Sequence, residues 1–248
     1  MPTAPTFVDE QETTLDTTTP KSVGASLSVV SGDILVECGG VENNQTTLNT
    51  PTGGTGVTRT LREDESSGAP PGSWSVADIW TAPIVNTESM TPSFSRSAFS
   101  SKFIGTALLF RDHDGVGATN STNNGSGSGA PSLSITTTRD NSAIVVVVVD
   151  WNAVDGASRT WNTVNSITPT SGNGYERSYV FDGAACTYYV AYYLDAGTVG
   201  TKTVGLSAPA TMRYVICAVE IKGVENWPPA GATDAASKIK VITTGQRW

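Results

Sequence analysis

Residues 143–151 read Ala-Ile-Val-Val-Val-Val-Val-Asp-Trp, and this stretch decides the fold class. The six residues from Ile144 to Val149 are all branched at Cβ, which restricts χ1 and favours an extended backbone. Turn-forming pairs bound the run, Asp140-Asn141 before it and Asp155-Gly156 after it. The run is too short to cross a bilayer as a helix. It therefore predicts a strand that is buried on both faces, inside a two-layer β protein.

Short apolar segments separated by turns fill most of the remaining chain. Strands are predicted over 25–30, 33–38, 57–62, 74–81, 103–110, 132–138, 175–181, 186–194, 202–207 and 213–222. No amphipathic segment with a period of about 3.6 residues extends beyond two turns. The pattern predicts an all-β fold: an antiparallel β sandwich, jelly-roll-like, with extended N- and C-terminal arms.

The chain is predicted to contain one main domain between two arms. An N-terminal arm or edge strand, rich in Thr and Pro, occupies 1–22, the β sandwich occupies 23–223, and a C-terminal arm occupies 224–248. Trp227-Pro228-Pro229 opens the last arm, and proline there stops pairing with the sheet. The final arm is therefore expected to reach a neighbouring molecule.

Two loops and one internal echo stand out along the domain. Residues 112–131 contain a run of Asn, Ser, Thr and Gly that predicts a flexible low-complexity loop, and 63–73 predict an acidic loop that ends in proline. Residues 32–36 and 141–145 are both a turn followed by an apolar strand. Either a duplication or the recurring chemistry of β proteins explains this echo.

Composition excludes several kinds of partner. The chain has 15 Lys and Arg against 23 Asp and Glu, for a net charge of −8. Because phosphate binding needs clustered basic residues, this balance argues against nucleic acid and against anionic membranes. Residues 1–5 lack the basic and apolar regions of a secretory signal. Cys38, Cys186 and Cys217 lie in strand-like sequence and are predicted to be buried free thiols.

The candidates for chemistry are few. His113, the only histidine, lies between Asp112 and Asp114, where it can serve either as an acid–base group or as part of a polar corner. Asp112 and Asp114 offer hard oxygen donors at alternating positions before a glycine, a pattern that suits calcium, although the EF-hand spacing is missing. No Gly-x-Ser-x-Gly motif and no marked pair of carboxylates is present. We therefore predict no catalytic residues and no cofactor apart from this possible calcium.

Tryptophan raises a carbohydrate-binding alternative, because sugars stack on exposed indole rings. Trp74, Trp80 and Trp151 lie in or beside predicted strands and are expected to face the core or a sheet. Trp161 and Trp248 lie in loop-like or terminal sequence and are expected to be the exposed ones.

Several segments resemble β-rich virion proteins of tailed phages that infect actinobacteria. They are residues 105–117 (GTALLFRDHDGVG), 192–206 (YYLDAGTVGTKTVGL), 80–83 (WTAP) and 218–223 (AVEIKG). The likeness covers about 25–223, and its motifs consist of turn and strand residues. It implies a structural component of the particle, on the head surface or in the tail, and it transfers no active-site residue.

The predicted function is therefore a non-enzymatic structural protein of a tailed-phage virion. A capsid decoration or minor capsid protein is favoured, because a single domain with arms suits repeated attachment to a lattice. The alternatives are a minor tail protein that contacts the host surface, and a carbohydrate-binding module. Expected partners are the major capsid protein or tail proteins, further copies of this chain as a homo-oligomer, and a host-surface glycan. The expected location is the virion, after synthesis in the host cytoplasm.

Overall fold

The computed structural model describes residues 3–42, 46–67, 75–97, 100–125 and 129–225. These residues form 17 β-strands and one 3-10 turn at Ser171–Asn173. Every paired strand is antiparallel, which confirms the all-β antiparallel class. The jelly-roll description stays a prediction. In the described ranges, no helix has the length and hydropathy that crossing a membrane requires.

The strands divide into two consecutive sets, which we call the first half (residues 3–111) and the second half (residues 113–223). The first half contains β1 Thr6–Glu12, β2 Lys21–Ser22, β3 Leu27–Val29, β4 Ile34–Val41, β5 Thr60–Ser66, β6 Val76–Pro83, β7 Glu88–Met90, β8 Ser93–Phe94 and β9 Phe103–Arg111. The second half contains β10 His113–Asn123, β11 Ser132–Thr137, β12 Ala143–Asp150, β13 Thr160–Trp161, β14 Glu176–Phe181, β15 Thr187–Tyr193, β16 Gly200–Ala208 and β17 Tyr214–Gly223.

Each half contributes one five-stranded sheet, and the two sheets have equivalent strand orders. The first sheet runs β1-β9-β4-β6-β5, and the second runs β10-β17-β12-β15-β14. In each half the first strand (β1 or β10) lies at one edge of the sheet, beside the last strand (β9 or β17). The first long buried strand (β4 or β12) lies at the centre. A small sheet accompanies each large one, with β3 paired to β7 in the first half and β11 paired to β16 in the second.

The register of the strands supports this equivalence. The first pair of the central and closing strands is Ile34 with Phe110 in the first half and Ala143 with Ile221 in the second. When positions along the sheets are counted from these two pairs, the register shift in β5 after Leu61 and the register shift in β14 after Glu176 lie at the same position. Arginine occupies the skipped position in both strands, as Arg62 and Arg177. The echo at 32–36 and 141–145 also falls at equivalent places, where each half enters its central strand.

Three apolar cores hold the layers together. The inter-sheet core lies between the two large sheets, and the first and second outer cores lie between each large sheet and its small cover. The odd-numbered residues of 145–149 face the inter-sheet core, and the even-numbered residues of 144–148 face the second outer core. All of β12 is buried, as the valine run predicts. Burial on both faces thus follows from covers outside the sandwich as well as from the sandwich itself.

Contacts across the open sides of the sandwich join the halves in a symmetric way. On one side, the Arg177 guanidinium of β14 donates to Glu10 of β1, with 2.9 Å between Nε and Oε2. On the other side, the Ser121 hydroxyl of β10 donates to Glu65 of β5 over 3.0 Å. The first strand of each half, β1 or β10, therefore meets the edge strand at the far end of the other half's sheet, β14 or β5. This exchange is what a two-fold interface produces.

Some predicted boundaries differ from the observed ones. Residues 113–123 of the predicted 112–131 loop form β10, because backbone pairing with β17 outweighs the low β propensity of Gly and Asn. The predicted acidic loop at 63–73 begins inside β5, and its residues 68–73 lie outside the described ranges. The 1–22 arm includes edge strand β1, and the 224–248 arm lies outside the described ranges after residue 225.

Candidate binding site on the second half

The predicted calcium ligands lie at the corner that joins the halves. Asp112 Oδ2 accepts a hydrogen bond from Thr6 Oγ1 at 3.0 Å, and Asp114 Oδ2 pairs with Arg139 Nη2 at 2.9 Å. The arginine already supplies positive charge to Asp114. Among the described residues, no group of three or more His, Cys, Asp or Glu is placed to hold a metal ion. Calcium binding by Asp112 and Asp114 therefore stays a prediction.

His113 fixes the same corner. Its Nδ1 accepts the backbone N–H of Gly115 at 2.8 Å, so Nε2 carries the ring hydrogen and donates to the Gly32 carbonyl at 3.1 Å. Burial lowers the pKa of His113, although the Gly32 carbonyl and nearby carboxylates oppose that shift. This arrangement agrees with the polar-corner alternative for His113.

Trp161 does not lie where the sequence places it. Its side chain is buried in the second outer core with 2% of its surface exposed, and its ring meets Tyr189 edge-on at 6.4 Å. The expectation of an exposed, sugar-stacking indole at this position is therefore wrong. Strand β13, a two-residue piece paired to β16, holds the residue inward. Trp74 and Trp248 lie outside the described residues.

A pocket of about 150 Å³ opens beside Trp161, on the outer side of the second large sheet. The long connection from β12 to β14 supplies most of its wall. Its lining residues are Ala157, Arg159, Trp161, Pro169, Thr170, Ser171 and Glu176. The 3-10 turn at Ser171–Asn173 forms one rim and is held by Thr170, whose hydroxyl accepts the Asn173 backbone N–H at 3.2 Å.

An ion pair forms the floor of the pocket. Arg159 Nε donates to Glu176 Oε2 at 2.6 Å, and its Nη2 pairs with Glu176 Oε1. The indole N–H of Trp161 donates to the same carboxylate at 2.7 Å. Arg159 Nη1 also donates to the Gly156 carbonyl at 3.0 Å. The Arg159 guanidinium is therefore fixed through all three of its nitrogens, in the bidentate geometry that carboxylates favour.

Aromatic residues of the edge strand continue the site. The Arg159 guanidinium lies 3.8 Å above the centre of the Tyr179 ring, and Tyr189 stacks on the same ring at 5.5 Å. The Tyr179 hydroxyl donates to Asp155 at 2.7 Å. Phe181 follows two residues later on the same strand face, and 42% of it is exposed. Phe181 therefore exposes an aromatic ring farther along this edge strand.

Most other buried carboxylates hold turns. Glu220 accepts from five groups: the backbone N–H groups of Ala118, Thr138 and Arg139 and the hydroxyls of Thr138 and Ser142. Burial alone would raise the pKa of Glu220, but these hydrogen bonds outweigh burial and hold the pKa below its ordinary value. Asp150 caps the turn after β12, and burial raises its pKa to about 6.

Asp78 is a buried carboxylate of a different kind, on the outward face of the first sheet. Burial raises its pKa to about 7, and the charge of Asp64 on the neighbouring strand adds to that shift. The Trp80 indole N–H opposes it by donating to Asp78 Oδ2 at 2.7 Å. Asp78 is 4% exposed, so this group is an internal feature of the first outer layer.

Sequence reasoning missed the pocket because its residues are far apart along the chain and carry no motif. Arg159 and Glu176 look like scattered charges until β13 and β14 bring them together. The nearest signal in the sequence is Trp161, whose indole lines the pocket but is buried instead of exposed. The three cysteines, in contrast, are buried and free as predicted, and burial raises the pKa of each thiol.

Comparison with known proteins adds no relative: no family model, curated protein or solved structure matches the chain.

Proposed function

We propose that this chain is a non-enzymatic structural component of a tailed-phage virion, present as a capsid decoration or minor capsid protein. The observation that carries the proposal is the use of buried charge for architecture. Asp33 pairs with Arg111, Glu37 pairs with Arg59, and Glu220 gathers five donors. Because burying a charge is costly unless it is paired, these groups act as fixed joints of a rigid module.

The closed sides of the sandwich also favour this role. A protein displayed at high density must keep its sheet edges from pairing with those of its neighbours. Here β1 and β14 cover each other through Glu10 and Arg177, and β5 and β10 do so through Glu65 and Ser121. The net charge of −8 adds repulsion between copies. The resemblance to virion proteins in residues 105–117 and 192–206 points to the same class.

The proposal places the chain in the virion after synthesis in the host cytoplasm, bound to the major capsid protein and to further copies of itself. The test is its copy number in purified particles, measured by quantitative mass spectrometry against the major capsid protein. A simple whole-number ratio to the capsid lattice supports decoration. A handful of copies instead supports the minor tail protein that contacts the host. Absence from particles would overturn the virion role.

Deletion variants sharpen the same experiment. A chain that ends at residue 225 keeps every described strand, so it should remain folded and should lose attachment if the C-terminal segment docks on the capsid. Removing residues 1–22 is a poorer test, because it deletes β1. Phe7 of β1 stacks on Tyr192 with ring centres 4.7 Å apart, and the sheet would lose that packing.

A further inference from the structure

The pocket on the second half is built around an ion pair between an arginine and a carboxylate. Arg59 directly precedes β5 in the first half, and Arg159 directly precedes β13 in the second. Arg59 reaches inward to Glu37 of the central strand, and the side chains of this pair are 5% and 0% exposed. Arg159 stays at the edge strand and leaves the pocket beside it. The two ion pairs therefore lie at different places in the two halves.

The pocket is preformed. Arg159 is held by Glu176, by the Gly156 carbonyl and by the Tyr179 ring. Trp161 is held by its buried ring and by its N–H bond to Glu176. A ligand entering such a site loses little free energy to the ordering of side chains.

The lining indicates the chemical class of the ligand. The charges of Arg159 and Glu176 cancel each other at close range, so the pocket favours an uncharged group. The polar residues Thr170 and Ser171 line the same pocket, beside Pro169. A volume of about 150 Å³ is half of the roughly 300 Å³ at which pockets for drug-sized ligands begin, so the site holds one small ring. A neutral ring with both hydroxyls and apolar C–H faces is a sugar residue.

We infer that the second half binds a neutral glycan, with one sugar residue in the pocket lined by Arg159, Thr170 and Glu176. The site lies outside the inter-sheet core, and its ligand binding is independent of where the chain sits on a particle. Failure of the virion proposal would leave this inference standing, and the reverse also holds.

The experiment uses the full chain with glucose, galactose, mannose and N-acetylglucosamine and with their β-linked disaccharides as probes. Saturation-transfer NMR detects binding, and titration gives the affinity. We expect transfer to at least one of these sugars. No transfer to any of these probes would overturn the inference.

Matched variants locate the site. Ala157 and Ser158 are adjacent and exposed, but only Ala157 lines the pocket. Ala157→Phe should therefore weaken binding by at least about tenfold, while Ser158→Phe should leave it unchanged. Phe181→Ala, at an exposed apolar side chain that does not line the pocket, should also leave binding unchanged. Equal affinity of Ala157→Phe and Ser158→Phe, with both variants folded by circular dichroism, would contradict the assignment.

Discussion

The two halves of the molecule share a strand order but fill equivalent rows of their large sheets with different chemistry. From the edge strand inward, the outward-facing row of the first half is Asp64, Asp78, Gly39 and Gly105. The equivalent row of the second half is Tyr179, Tyr189, Val148 and Ile216. One row is acidic and small, and the other is aromatic and aliphatic, yet both support the same pairing. Topology is therefore set by the alternation of buried positions more than by the residues that occupy them.

The first half compensates for its small residues from the cover. Phe94 of β8 lies directly over Gly105, where an added Cβ would be only 2.3 Å from the ring. The second half instead fills its outer core from the sheet, with Tyr189 and Ile216. Close packing is reached in both cases, but the bulk comes from opposite sides of the layer.

The largest difference that we expect between the halves concerns the carboxylates that hold the turn into each central strand. Glu220→Gln should lower the free energy of unfolding by about 3 kcal/mol, because five donors lose a charged acceptor inside the protein. Asp33→Asn should cost only about 1 kcal/mol. Its partner Arg111 is 38% exposed and can be solvated by water. Urea unfolding at neutral pH measures both.

The pH dependence provides the control for Glu220. Its pKa is lower in the folded protein, so its stabilisation is present above the pKa of the unfolded chain and is lost as the pH falls through the folded pKa. The difference in free energy of unfolding between the wild type and Glu220→Gln should therefore become smaller as the pH falls into the acid range. A constant gap at all pH values would mean that the amide disturbs packing instead of removing charge.

A smaller effect on stability should come from Asp78 in the acidic row of the first half. Its dependence on pH should be opposite in direction to that of Glu220. Its folded pKa of about 7 lies above the ordinary aspartate value, so the folded state binds the extra proton and loses stability as the pH rises. Between about pH 5 and about pH 7 this contribution amounts to about 2 kcal/mol. Asp78→Asn should remove that part of the slope in urea unfolding measured across the same range.

Asp155→Asn is the matched control for Asp78, because Asp155 is exposed and its pKa is lowered by the Tyr179 hydroxyl. Asp155→Asn should leave the slope of the free energy of unfolding against pH unchanged between these two pH values. The comparison with wild type also cancels Asp150, whose pKa burial raises to about 6 and which contributes in the same direction in both proteins. An unaltered slope in Asp78→Asn would show that Asp78 is ionised in the folded protein at lower pH.

Much of the strand content could be read from the sequence because the buried strands carry their own signal. The valine run of 144–149 gave β12, and the apolar segment of 103–110 gave β9 to within one residue at its end. Predicted segments at 186–194 and 213–222 coincide closely with β15 and β17. In each case both faces are buried, so the segment is apolar along most of its length.

The rest depended on contacts that no local pattern encodes. β10 is rich in Gly, Asn and Thr and is a strand only because β17 pairs with it. The pocket combines Arg159 and Glu176 from elements that are separate along the chain. Trp161 looked exposed because its surroundings are polar, but its neighbours in the core come from β15 and β16. The calcium prediction at Asp112 and Asp114 rests on the sequence pattern alone.

The smallest expected difference in stability concerns Arg62 and Arg177, the two arginines at the equivalent register shifts. It tests whether the two open sides of the sandwich are held together equally. Arg177 bonds Glu10 across the halves and stacks over Phe7 at 4.6 Å, whereas Arg62 bonds Thr81 of its own half, over 2.7 Å between Nε and Oγ1. Arg177→Gln should cost about 1 kcal/mol, since its ion pair is partly exposed, and Arg62→Gln about half of that. The midpoints of urea unfolding measure this difference, provided that the dependence of the free energy of unfolding on urea concentration is the same in both variants. If both variants lost the same stability, the Glu10 contact would add nothing, and packing such as the stack of Phe7 on Tyr192 of β15 would hold β1 to the second half.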